Sequence, residues 1–362
     1  MLNISGALLE KAQLEKYLEK IASEHNIQPK SDKTTYPLPQ TIQEFKFITK
    51  VYQLLNNHVK QGISIHPAGE WLLDNYYIIN ENIKVLQDEV TLKQYKKLPA
   101  IASGEHKGYA RIYILALEII AHTDNKIEKE TIENAINSYQ KRKILNMQEM
   151  WSIQNYLKIA IIKNIAKICE KIYITQIQKE KVISVIQSTI ENQKSTYKKP
   201  RDINYKHSYE MKYAFIEYLS YKLKKYGKQA TPYIEVLEEQ VNKTGTTIEE
   251  IINKQHYSVA LAKVSIGNAI ISLKTISRIN FQEIFENQNG VEEILKKDPT
   301  GIYEKMSYDT KAYYRIQIQK MAEKTKISEI YVVNKALELA QENLGKDKKE
   351  HIGYYLIDKR KR

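Results

Sequence analysis

Apolar positions recur at intervals of three and four along most of the chain, the spacing that gathers them on one side of an α-helix. Two such segments, residues 7–25 and 40–60, flank the proline-containing stretch "QPKSDKTTYPLPQ", which reads as a linker or extended arm. "ISIHPAGEW" then breaks the pattern, and a helix is expected to begin near Ala68. The proline of "KKLPAIASGEHKGYAR" stops that helical rhythm, and Gly104 and Gly108 permit the turns that precede the next segment. In "GYARIYILALEIIAH" the spacing of Ile112, Leu115, Ile119 and His122 predicts one buried face.

The rhythm persists downstream. "TDNKIEKE", Thr123 to Glu130, reads as a short connection into a helix whose acidic first turn suits the helix dipole. Met147 to Ile172 and Ile174 to Ile190 form two further helical patterns, and after the basic loop "KSTYKKPRDINYK" helices resume near Ser208, Thr231 and Thr246. His256 to Arg278 is apolar on more than one face, as expected of a central helix with several neighbours. Its Gly267 costs about 1 kcal/mol of helix propensity relative to alanine, which the close approach of another helix would offset.

Glycine and proline together number 20 of 362 residues, well below the usual fraction of roughly 12%, so turn-rich β architectures are disfavoured. The fold class is all-α, an irregular multi-helix array or solenoid-like bundle. The expected division is residues 1–65 (helices and linker), 66–200 and 201–362 (two helical domains).

The net charge of +13 changes this picture little. Only seven of the 56 basic residues are arginine, the preferred residue for bidentate phosphate and base contacts. Lysine is spread along the chain beside abundant isoleucine, asparagine and tyrosine, which reads as compositional bias; no specific nucleic acid is expected as a partner. The lone Cys169 excludes an internal disulfide and a multi-cysteine metal site, and its helical spacing reads as a core thiol.

The N-terminus lacks a signal peptide's basic start and continuous apolar run, and "YILALEIIAH" and "LKIAIIKNIAKI" fall short of the about 20 apolar residues of a membrane span. The expected location is cytoplasmic. The terminal "DKRKR" reads as a solvated tail or as a juxtamembrane segment on the cytoplasmic side.

Candidate chemistry is sparse. No glycine-rich phosphate cradle is present, the eight histidines are scattered, and no two aspartates stand one residue apart. No cofactor and no metal are expected. The densest cluster is "AGEWLLDNYYIINENI", residues 68–83. Glu70 and Asp74, four apart, share a helix face, and Trp71, Tyr76 and Tyr77 can supply a stacking surface. Two readings stand open: a carboxylate pair for glycoside hydrolysis, or acids favouring the helix dipole above inward-packed aromatics. His66 and His122 could serve as acid or base, but a histidine at a helix end is more often a cap or a satisfied polar contact. On a helix, Trp71, Asn75, Ile78, Ile79 and Asn82 fall on one side, and Asp74 and Tyr77 toward another.

Longer phrases carry a resemblance. "EWLLDNYYIINENI", "YKKLPAIASGEHKGYARIYILALEIIAHTDNKI" and "LNMQEMWSIQNYLKIAIIKNI" resemble, in that order, the N-terminal cytoplasmic region of bacterial cyclic β-1,2-glucan synthases. It continues in "VSIGNAIISLKTIS", in "FQEIFENQNGVEEILKKDPTGIYEKMSYDTKAYYRIQIQKMAEKT" and in "HIGYYLIDK", while residues 175–255 are less distinctive.

The resemblance implies the first part of a large membrane enzyme, in which membrane helices surround a family-84 glycosyltransferase domain that uses UDP-glucose. That family's catalytic aspartates and arginine–tryptophan motif have no matching positions here, so no catalytic residue is assigned. What it implies is a supporting helical region at the inner face of the membrane, as a truncated frame or one part of a split enzyme. Its partners would be the transferase and membrane portion of the synthase, or β-1,2-glucan. The candidate glycan or partner surface comprises Glu70, Trp71, Asp74, Asn75, Tyr76 and Tyr77, joined by Tyr109, Arg111 and His122. The alternatives are a free-standing helical scaffold and a hydrolase using Glu70 and Asp74.

Overall fold

The computed structural model describes residues 6–188 and 209–357. The loop "KSTYKKPRDINYK" and the tail "DKRKR" lie outside them. The described chain is all-α: α1 (Lys11–Glu24), α2 (Leu38–Lys60), α3 (Pro67–Glu89), α4 (Leu92–Tyr95), α5 (Arg111–His122), α6 (Lys129–Gln140), α7 (Met147–Ile186) and α8 (Tyr209–Lys224), then α9 (Thr231–Asn242), α10 (Ile248–Arg278), α11 (Phe281–Gln288), α12 (Gly290–Leu295), α13 (Tyr308–Thr325), α14 (Glu329–Glu342) and α15 (Gly353–Ile357). Its one sheet pairs Ile27–Gln28 with Ala100–Ile101, antiparallel.

The helix starts follow from capping chemistry. At α3 the His66 Nδ1 accepts the Ala68 N–H at 3.0 Å and Pro67 occupies the first turn. Burial pushes the His66 pKa down to about 4, so the ring stays neutral and able to accept. His66 is therefore a cap. Asn146 and Glu149 form a reciprocal capping box at α7, and Ser307 and Ser328 cap α13 and α14. Gly104 and Gly108 adopt φ of +81° and +85°, conformations that side chains disfavour.

Two elements differ from the reading of the pattern. The two helical patterns after Met147 are one 40-residue helix, roughly 60 Å long at the standard rise, because nothing near Tyr173 breaks it. It is the spine on which α2, α5, α8 and α10 pack. Within it Cys169 is fully buried, which raises its thiol pKa. Helix α5 is buried all round, Arg111 to Ile120 without a gap, where one buried face was expected. It lies along α7 and receives Tyr17 of α1, so its polar positions also become interior.

The main core joins α1–α3, α5–α7, the second half of α10 and α11–α15. A smaller core lies at the far end of α7, where Val182 and Ile186 meet Phe215 and Leu219 of α8, Leu237 of α9 and Ile251 of α10. Helix α10 packs on α3, α7 and α8, as a central helix should. Among the described residues it is also the one helix long and apolar enough to cross a bilayer, by length and composition. Its other side leaves Tyr257, Leu261, Val264 and Ile271 exposed.

Gly267 meets the Trp71 indole: a Cβ there would lie 3.4 Å from the ring, at ordinary van der Waals contact. Gly267→Ala is therefore expected to stabilise the protein by about 0.5–1 kcal/mol through helix propensity. Gly267→Leu, whose branches enter the indole, should cost about 1–3 kcal/mol. Thermal midpoints that fall for the alanine variant would refute this packing.

Candidate functional site

Helix α3 directs most of its aromatic and polar cluster inward. Trp71 lies half-buried on Gly267, and the Asn75 Oδ1 accepts from the Lys274 Nζ at 3.2 Å. Two turns on along α3, Ser277 Oγ donates to the Asn82 Oδ1 at 3.4 Å. Tyr76 turns the other way, stacked on Tyr52 at 4.2 Å and on Phe45 at 5.9 Å, with its hydroxyl 2.7 Å from that of Thr49. Glu70, Asp74 and Tyr77 are left in solvent. The phrase is thus a three-helix seam with two carboxylates and one tyrosine on its outer side.

Arg111 and His122 stand at opposite ends of α5, both buried. The Arg111 Nε and Nη2 donate to the two Glu149 oxygens at 2.7 and 2.5 Å, and Nη2 also donates to the Ile144 carbonyl at 3.0 Å. His122 Nδ1 lies 2.7 Å from the Ala7 carbonyl, its Nε2 3.5 Å from Glu118, and its ring is edge-on to Tyr17 at 4.5 Å. The Tyr17 hydroxyl in turn donates to Glu118 at 2.8 Å. These groups hold α1 and the start of α7 to α5. Tyr109 is half-buried beside Tyr113 and lines a groove of about 670 Å³ with Tyr36, Gln40, Gln43 and Leu92.

A second concavity, of about 530 Å³, lies between the end of α3 with α4, the first turns of α7, and α13. That volume is in the range of small-ligand sites, about 300–1,000 Å³. Gln148, Trp151, Ser152 and Asn155 project into it at positions i, i+3, i+4 and i+7 of α7. Facing them are Thr91, Lys93, Gln94 and Lys97, with Gln319 from α13. The Trp151 ring stacks on Phe285 at 4.5 Å yet is 45% exposed, so an aromatic surface stays open to a ligand.

Polar groups in this groove are mostly neutral. Lys97 pairs with Glu323 at 3.3 Å, and Glu89 is the one carboxylate among the lining residues described. Ser152 donates to the Glu149 carbonyl at 3.0 Å. The Asn155 Oδ1 is buried with no hydrogen-bond partner among the described residues. Such an oxygen costs about 1–3 kcal/mol when left unpaired. This set can bind through a ring face and amides, but among the lining residues described it brings no base to a nucleophile and no second carboxylate to Glu89. Among the described residues no three His, Cys, Asp or Glu side chains gather as a metal-ligand group.

Trp151 escaped the sequence reading because "MQEMWSIQNY" looks like any amphipathic helix. The available signal was amides at 148 and 155 bracketing an aromatic on one face.

No protein-family model matches the chain. Over 297 residues, 82% of its length, the chain is 24% identical to a cyclic beta-(1,2)-glucan synthase, NdvB, of Rhizobium meliloti (strain 1021). The chain spans about a tenth of that protein, 10% of its length. The likeness expected from the quoted phrases is therefore present, and it is to a partial region of a much longer protein.

Proposed function

We propose that this chain is a non-catalytic helical module of a cyclic β-1,2-glucan synthase, supporting a UDP-glucose-using transferase without performing the transfer. One observation carries the reading: most of the chain aligns with a short stretch of a synthase, leaving nine-tenths of that protein for other work.

The geometry supports it. Trp71, Asn75, Tyr76, Arg111 and His122 are engaged in joining helices, which is a framework role. Glu70, Asp74 and Tyr77 remain on the outer side of α3, available to the transferase and membrane portion. The net charge of +13 suits a position against the anionic cytoplasmic leaflet.

The test uses membranes bearing the transferase portion, with and without this chain, supplied with labelled UDP-glucose. Cyclic glucan output is expected to fall by about tenfold or more without the chain, a coupling within the usual range, and to return when the chain is supplied. The chain alone should make none. Unchanged output in its absence would overturn the reading.

A further inference from the structure

We propose that the groove between α4 and α7 is a binding site for a neutral gluco-oligosaccharide, with Trp151 as its stacking platform. The choice of β-1,2-linked glucose rests on the function proposed above; the preference for a neutral pyranose chain rests on the groove itself.

A pyranose has two chemically different aspects. Its ring face is a sheet of C–H bonds carrying partial positive charge, which settles against the negative face of an aromatic ring. Its rim is a set of hydroxyls that both donate and accept, matched by side-chain amides, which do the same. The groove provides both. Trp151 is held flat by Phe285 beneath it, so its orientation is set before a ligand arrives. Around it stand the amides of Gln94, Gln148, Asn155 and Gln319, of which the Gln94 oxygen is taken by Thr91 and the Gln319 Nε2 by Glu323. Asn155 lines the groove with its Oδ1 turned inward, so the rest of its amide is what meets a sugar hydroxyl.

Other ligand classes fit less well. A nucleotide needs a cradle for phosphate, and the nearest helix start, at α4, is already closed by the reciprocal Thr91–Gln94 cap. Of the two lysines in the lining, Lys97 is neutralised by Glu323. A metal-dependent ligand finds a single carboxylate, Glu89.

The site has room for more than one sugar. Val90 and Thr91 line this groove, while Leu92 lines the one that contains Tyr109 and Tyr36. The Tyr36 hydroxyl donates to the Val90 carbonyl at 2.5 Å, so the two concavities lie on either side of one short turn.

The experiment is titration calorimetry of the whole chain with linear β-1,2-gluco-oligosaccharides, with UDP and inorganic phosphate as anionic controls. Binding is expected for the oligosaccharide, weakened by about tenfold or more in Trp151→Ala and several-fold in Asn155→Ala. Trp151→Phe should retain part of the affinity, which separates loss of a platform from loss of fold, and circular dichroism should be unchanged in all three. Heat from the oligosaccharide that is identical in a folded Trp151→Ala protein overturns the proposal. So does the absence of heat with about 10 mM oligosaccharide, where even a millimolar affinity would register, or displacement of the sugar by phosphate. None of these results bears on whether the chain supports synthesis, which the membrane assay decides independently.

Discussion

Replacing Arg111 by alanine is expected to lower the unfolding free energy by about 3–5 kcal/mol, the usual penalty for stranding one partner of a buried ion pair. The reason is the Glu149 carboxylate, which is fully buried at the start of α7. It accepts both Arg111 donors and also the Asn146 N–H, which closes the α7 cap. Without the guanidinium a charge remains in the interior with one backbone donor. Arg111→Lys keeps the charge but gives up the planar two-donor fork, so an intermediate loss is expected. Joint replacement, Arg111→Met with Glu149→Leu, removes both charges and should recover most of the stability. Urea midpoints for the three proteins decide it; an Arg111→Ala midpoint equal to wild type would contradict a buried pair.

A second large effect belongs to Glu329, the first residue of α14, whose Oε2 accepts the Met147 N–H at 2.9 Å. Burial, aided by Glu149 and Glu323, pushes its carboxyl from 4.5 to about 7, and the Met147 contact opposes the shift only in part. The folded protein therefore holds a proton that the unfolded chain releases above pH 4.5. By linkage, stability is full below that pH and declines as pH rises toward 7, by up to about 3 kcal/mol. Glu329→Gln keeps an oxygen for the Met147 N–H and has no charge to bury. It should match wild type near pH 4.5, exceed it above pH 7, and lose this part of the pH slope. Denaturant titrations at the two ends of that window test it, and parallel slopes for the two proteins would rule it out.

Both effects involve groups that the sequence singled out for other reasons or not at all. Arg111 sits in a phrase with a family resemblance, and nothing in the sequence sets Glu329 apart from other acids. Their energetics come from burial, which pattern reading underestimates at polar positions. Helix α5 shows why: the interval of three and four marks a face, but it cannot say how many other helices will cover the rest. Where chemistry is local, the sequence carries it directly. The His66–Pro67 start of α3 and the left-handed glycines at 104 and 108 were legible because capping and positive φ depend on adjacent residues alone.

The "LLDNYY" phrase divides along the same line. Its periodicity correctly grouped Trp71, Asn75 and Asn82 on one side and Asp74 and Tyr77 on another, because helical geometry dictates that grouping. That the first side meets Gly267, Lys274 and Ser277 was beyond reach, since those partners lie on a helix nearly two hundred positions later. Tyr76 could equally have been an open stacking surface; Tyr52, Phe45 and Thr49 claim it instead.

By itself, then, the sequence determined the helical class, most helix starts, the turns between helices and the likeness to a region of a glucan synthase. Periodicity, caps and ordered phrases are properties of neighbouring residues and survive without a fold. Only the tertiary structure decided which helix α3 meets, that α5 is wholly interior, and that residues near 90, 150 and 319 enclose a groove around Trp151. Those outcomes depend on segments far apart in the chain, brought together by burial of apolar surface, which is non-directional and leaves little local mark.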